Sequence, residues 1–191
     1  MSSDPSAREI VPEPAPSVTD APRPEGACIA SEDWLRGVSA LREGRVADAI
    51  VDACNAVETW DEFLEGWLLL ATARLNQGDQ VESLGASARA LELAEHYHVE
   101  ALDVYALALI RAEQFADAVD VYTDLLALDN ARPIAYWFRG RCHVTLNDYA
   151  SARADFVRAI ELSPELEEWL DSEPALRAVY EGRAPDAPAL D

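Results

Sequence analysis

The chain has 191 residues, half of them hydrophobic, which suits one domain or one short repeat array with a real core. Thirty-six acidic residues against fifteen basic ones give a net charge of −21, a surface that repels phosphate backbones and argues against nucleic acid or an anionic membrane as partner. All fifteen basic residues are arginine, so Schiff-base catalysis by a side chain of this chain is excluded.

In chain order, residues 1–29 hold six of the eleven prolines and little apolar periodicity, and read as a disordered tail. They lack the charged start and apolar middle of a signal peptide. The Gly26-Ala27-Cys28 triplet looks like the end of a lipoprotein cleavage box, but no hydrophobic segment precedes it. No apolar run approaches the roughly 18 residues of a membrane span, and a cytoplasmic location is the expectation.

From residue 30 the sequence repeats. Turn-like points recur at Glu43-Gly44-Arg45, Gln77-Gly78-Asp79, Glu113-Gln114-Phe115 and Asn147-Asp148-Tyr149. Each is followed by a small residue, Ala49, Ser83, Ala118 and Ala152, at successive spacings of 34, 35 and 34. Apolar residues fall at three-and-four spacing on both sides of every turn. The pattern predicts four pairs of antiparallel helices over 31–43/46–58, 62–77/80–94, 98–112/115–128 and 132–146/149–162. The stretch from Pro164 to about 182, carrying Trp169, Leu170, Leu176, Val179 and Tyr180, reads as a helical cap over 165–182. Residues 183–191 form a second loose tail.

The fourth unit carries Tyr136, Gly140, His143, Ala152, Phe156, Ala159 and Pro164 at fixed offsets, with an Arg139-Gly140 pair. The second keeps Trp67, Leu70, Ala71 and Ala90, and the third Ala106, Ala118 and Tyr122. In the first, Gly37, Ala49 and Ala56 stand out, while Asp33 falls where an aromatic is expected. This pattern resembles the tetratricopeptide repeat over about 30–164, some 70% of the chain. The resemblance implies an all-α, right-handed superhelical array of four helix-turn-helix units with a C-terminal cap.

No catalytic constellation accompanies it. There is no P-loop, GxGxxG, GxSxG or HExxH motif, so an enzyme, a cofactor or a metal site is not expected. Cys28, Cys54 and Cys142 form no CxxC pair, and Cys54 and Cys142 read as small core residues. His96 and His98 diverge on a helix, and His143 occupies a packing position.

In the family resembled, the first helix of each unit lines a concave face. Carried over, this gives Trp34, Leu35, Val38 and Leu41; Glu65, Leu68, Leu69, Thr72 and Leu75; Glu100, Asp103, Val104, Leu107 and Arg111; and Ile134, Trp137, Phe138, Arg141 and Val144. The candidate partner-binding residues are Trp34, Val38, Leu68, Thr72, Asp103, Leu107, Arg111, Trp137, Phe138 and Arg141. In the run Tyr136-Trp137-Phe138, three neighbours 100° apart cannot share a face, so Tyr136 is expected inside its repeat with Trp137 and Phe138 turned to the groove. Two alternatives compete: Leu69, Val104 and Phe138 pack between adjacent first helices, or Glu9-Ile10-Val11-Pro12-Glu13-Pro14 fills the trough.

The positions at which co-chaperone relatives hold acidic tails carry Trp34, Val38, Leu69, Glu100 and Val104 here, so that clamp is absent. The expectation is a non-enzymatic protein–protein interaction module taking an apolar, basic-flanked partner segment, with acidic Glu65, Glu100 and Asp103 on the rim. The alternatives are a chaperone similar to the tetratricopeptide chaperones of type III secretion, or a self-associating structural subunit using the groove or the cap around Trp169.

Overall fold

The computed structural model describes residues 26–94 and 98–183. The expectations placed on the N-terminal tail up to residue 25, on His96 and on residues 184–191 lie outside them. The described residues form helices and connecting turns, with no strand among them. Eight helices make four hairpins: α1 (Ala27–Arg42) with α2 (Val46–Thr59), α3 (Leu64–Gln77) with α4 (Gln80–Leu93), α5 (Val99–Arg111) with α6 (Phe115–Leu128), and α7 (Pro133–Thr145) with α8 (Tyr149–Leu162). A 3-10 turn over Pro164–Leu166 leads into α9 (Glu167–Asp171) and α10 (Pro174–Tyr180).

The hairpin turns share one backbone device. Gly44, Gly78, Glu113 and Asn147, equivalent in their units, take positive φ of 75°, 86°, 61° and 62°. That left-handed residue lets the next amide reach back five residues, Arg45 to Ala40, Asp79 to Arg74, Gln114 to Leu109 and Asp148 to His143, at 2.8–3.0 Å. These bonds satisfy carbonyls the helix end would otherwise leave open. The second helix then starts at once. Asp79 and Asp148 cap α4 and α8 by accepting from the amides of Glu82 and Ser151.

Small residues set how closely the paired helices approach. Ala49, Ser83, Ala118 and Ala152 are all fully buried, and across their hairpins Ala49 lies against Gly37 and Ser83 against Ala71. At Gly140 an added Cβ would lie 2.9 Å from Phe156 and 3.2 Å from Asp155 Cβ, so the close contact requires glycine there. Ser83 satisfies its buried hydroxyl by donating to the Ala71 carbonyl at 3.0 Å.

Helix α1 begins four residues before its predicted start. The last proline upstream is Pro24, and Ala30 is buried against Ala56 and Phe63, so this end is held by packing that the proline-rich composition of the tail obscured. The aromatics Trp60 and Phe63, stacked at 5.1 Å in the first inter-unit turn, form the platform beside it. The core runs the length of the array: α1 packs on α3 and α3 on α5, so the first helices lie side by side, while α10 packs on α8 and α7.

Candidate binding groove

The first helices present the concave side. Near its C-terminal end, where α5 and α7 diverge, a trough of about 750 Å³ opens. Leu75 from α3, Leu107, Ile110 and Arg111 from α5, Phe115 from α6, and Phe138, Arg141, Cys142, Val144 and Thr145 from α7 line it. The cap closes one end with Glu173 and Leu176. The volume lies within the usual range for binding clefts.

Four of the ten candidate residues meet in this trough: Leu107, Arg111, Phe138 and Arg141. Phe138 is half-buried, stacked on Tyr122 at 6.4 Å, and lines the trough. Arg141 is exposed and lies 3.7 Å from Glu173 of the cap. Arg111 is exposed and makes no ion pair among the described residues.

Trp137 departs from expectation. It is 1% exposed, its ring 5.2 Å from Phe156 and edge-on to Trp169 at 5.3 Å. Leu166, Leu170, Leu176 and Val179 complete that cluster. Trp137 holds a position that faces the concave side in an internal unit, but its unit is the last, and the cap folds over it. It is therefore core, not groove surface. Tyr136 is half-buried between the second-half core and the cap cluster, with the Arg139 guanidinium 5.5 Å above its ring.

The remaining candidates lie away from the trough. Trp34 packs edge-on to Phe63 at 6.3 Å, Val38 leans on the N-terminal core, and Leu68 on the central one. The Thr72 hydroxyl is used locally, donating to the Leu68 carbonyl at 2.8 Å. Asp103 lines a separate depression of about 230 Å³ with Arg132 and Ile134. Of the alternatives raised for the groove, Leu69 is buried between helices, and Val104 is half-buried against the same N-terminal core.

Electrostatics separates the two depressions. Arg132 sits among three carboxylates, Glu100 at 3.2 Å, Asp129 at 3.1 Å and Asp103 at 3.9 Å. Burial holds the Asp103 carboxyl above the ordinary aspartate value, with Arg132 opposing and Glu100 reinforcing the rise. Its Oδ1 and the Tyr122 hydroxyl are buried without a hydrogen-bond partner. In the trough, burial pushes the Cys142 thiol up to about 11. It stays protonated at neutral pH and is no nucleophile.

Sequence reasoning missed Ile110, Phe115, Thr145, Glu173 and Leu176. Ile110 and Thr145 stand at the same repeat offsets as Val144 and Arg111, so carrying both offsets into both units would have found them. Glu173 and Leu176 belong to the cap and have no repeat register to read.

A tetratricopeptide-repeat profile matches residues 106–167, the stretch that builds most of this trough. The fold is that of a tetratricopeptide-repeat array. Among solved structures the chain resembles MamA of Desulfovibrio magneticus RS-1, with TM-score 0.66 and 18% identity over 80% of this chain and 89% of that one. It also resembles YrrB, described as a TPR protein with an unusual peptide-binding site, with TM-score 0.68 and 17% identity over 76% and 74%. TTC0263, a thermophilic TPR protein of Thermus thermophilus, follows at TM-score 0.62 and 16% identity, covering 80% of each chain. Among curated sequences, the peptidyl-prolyl cis-trans isomerase FKBP4 is 31% identical in Bos taurus and 25% in Mus musculus, over 129 residues. The match takes in 68% of this chain but 24% of those relatives, so the chain spans about a quarter of their length. Such tetratricopeptide arrays are consistent with protein–protein interaction. No helix among the described residues is long and apolar enough to cross a membrane.

Proposed function

We propose that the chain is a non-enzymatic module that holds an apolar segment of a partner protein in the trough between its third unit, its fourth unit and the cap. The observation that carries this reading is the trough itself, in which Leu75, Leu107, Ile110, Phe115, Phe138 and Leu176 converge without closing over one another. Affinity would come from removing that apolar surface from water, at about 25 cal/mol per Å². A basic flank on the partner has thinner support, because Glu100 and Asp103 are already shared with Arg132. Shielding an apolar client in a chaperone role would draw on the same surface, and a cytoplasmic setting belongs to the same proposal.

The test is photo-crosslinking from a single reactive side chain placed at position 107, in the trough, or at position 81, where Val81 is 80% exposed outside it. Adducts with one discrete protein from 107 and none from 81 support the reading; adducts from 81 alone, or from neither, contradict it.

Self-association through the cap is a second reading, supported by Trp169, which covers Trp137 with one edge yet remains 45% exposed. Light scattering across a concentration series decides it, since a monomer throughout removes it.

A further inference from the structure

The trough runs against the overall charge of this molecule. The chain carries more than twice as many acidic as basic residues, yet the ionisable side chains that the repeat helices turn into the trough, cysteine aside, are Arg111 and Arg141. The one carboxylate present belongs to the cap, and it shows what the wall accepts: Glu173 lies 3.7 Å from Arg141, and Leu176, three residues later, enters the apolar floor. Arg111, on the facing helix, makes no ion pair among the described residues.

We propose that the trough selects protein segments in which Asp or Glu side chains alternate with large apolar ones. Arg111 receives one carboxylate and Arg141 a second, shared with or taken over from Glu173, while the apolar residues fill the floor between them. This rests on the trough being the partner site, and it gives that partner an acidic rather than a basic character. Both guanidiniums are exposed at the mouth of the trough, so their charge-assisted hydrogen bonds to a carboxylate strengthen only as the bound segment excludes water from them. The −21 background then acts as a filter: an acidic segment is repelled over most of the surface and attracted at the trough, so binding is selective in register.

The test is a phage-displayed library of random dodecapeptides, fused at their C-termini so that no free α-carboxylate is offered, panned against the full chain. The same selection is run with Arg111→Gln/Arg141→Gln and with Leu107→Asp, each checked for its helical circular dichroism. Both arginines are exposed, so their replacement leaves the core intact. The expected result is enrichment of Asp or Glu beside Leu, Ile or Phe. Selected peptides then bind the double arginine variant at least about tenfold more weakly, and binding falls with added salt. Peptides that show no acidic preference, or a basic one, but still require Leu107 overturn the carboxylate inference and leave the trough standing. If no selected peptide depends on Leu107, the trough reading falls and takes this inference with it.

Discussion

Glu113 is the one hairpin-turn residue of the four that adopts left-handed φ with neither glycine nor asparagine chemistry. A non-glycine residue there costs about 1–2 kcal/mol, part of which glycine returns as unfolded-chain entropy. Glu113→Gly should stabilise the chain by about 0.5–1 kcal/mol, read as a higher urea midpoint at unchanged slope. Arg139 ties α7 to α8 through two bonds to Asp155, of 2.9 and 2.7 Å, with the carboxylate side chain only 7% exposed. Arg139→Met strands that carboxylate and should cost about 3 kcal/mol. Adding Asp155→Asn removes the stranded charge and should recover part of the loss in a double-mutant cycle. The same Arg-Gly step with an aspartate sixteen residues on recurs at Arg36, Gly37 and Asp52, at 3.2 Å; there Arg36 is exposed, and its loss should matter less. At Asp103 the folded-state carboxyl binds its proton more tightly than the unfolded one. Its charge therefore becomes a burden as pH rises through that raised value. Asp103→Asn should raise the melting temperature at pH 7, and the gain should vanish as pH falls below the ordinary aspartate range.

Among the elements, the cap governs how the groove ends. Trp137 is the largest fully buried side chain among the described residues, shared between α7, α8 and the cap. Trp137→Ala should cost about 3–5 kcal/mol and expose Arg177 on α10 to limited trypsin cleavage well before the hairpins are cut. Little change in either would show that the cap is held elsewhere. The same element marks the boundary of what the sequence discloses. The hairpins are legible because Gly44, Gly78 and Asn147 mark three turns and because Ala49, Ser83, Ala118 and Ala152 keep phase. Repeat offsets misplace Trp137 because they describe an internal unit and say nothing of what lies against the last one. The apolar residues of the cap are visible in the sequence, but where they dock is not, since Trp169, Leu170 and Leu176 belong to no repeat. The start of α1 is likewise hidden by the prolines before it.

At the scale of the whole molecule, a spiral of small-residue contacts leaves its concave side incompletely filled near one end. There α5 and α7 part, the cap stops at Glu173 and Leu176, and an apolar trough with two arginines remains in an otherwise acidic surface. The offsets that found Leu107, Arg111, Phe138 and Arg141 could not reveal that Trp34, Val38 and Leu68 are taken up in packing farther along the array. The central claim is that this trough holds a partner. The most direct measurement is titration calorimetry of the segment crosslinked from position 107 into the wild-type chain, Leu107→Asp and Val81→Asp, each first shown to keep its helical content. The account predicts a dissociation constant at least about thirtyfold weaker for Leu107→Asp and unchanged for Val81→Asp. Equal affinity for Leu107→Asp and wild type would contradict it.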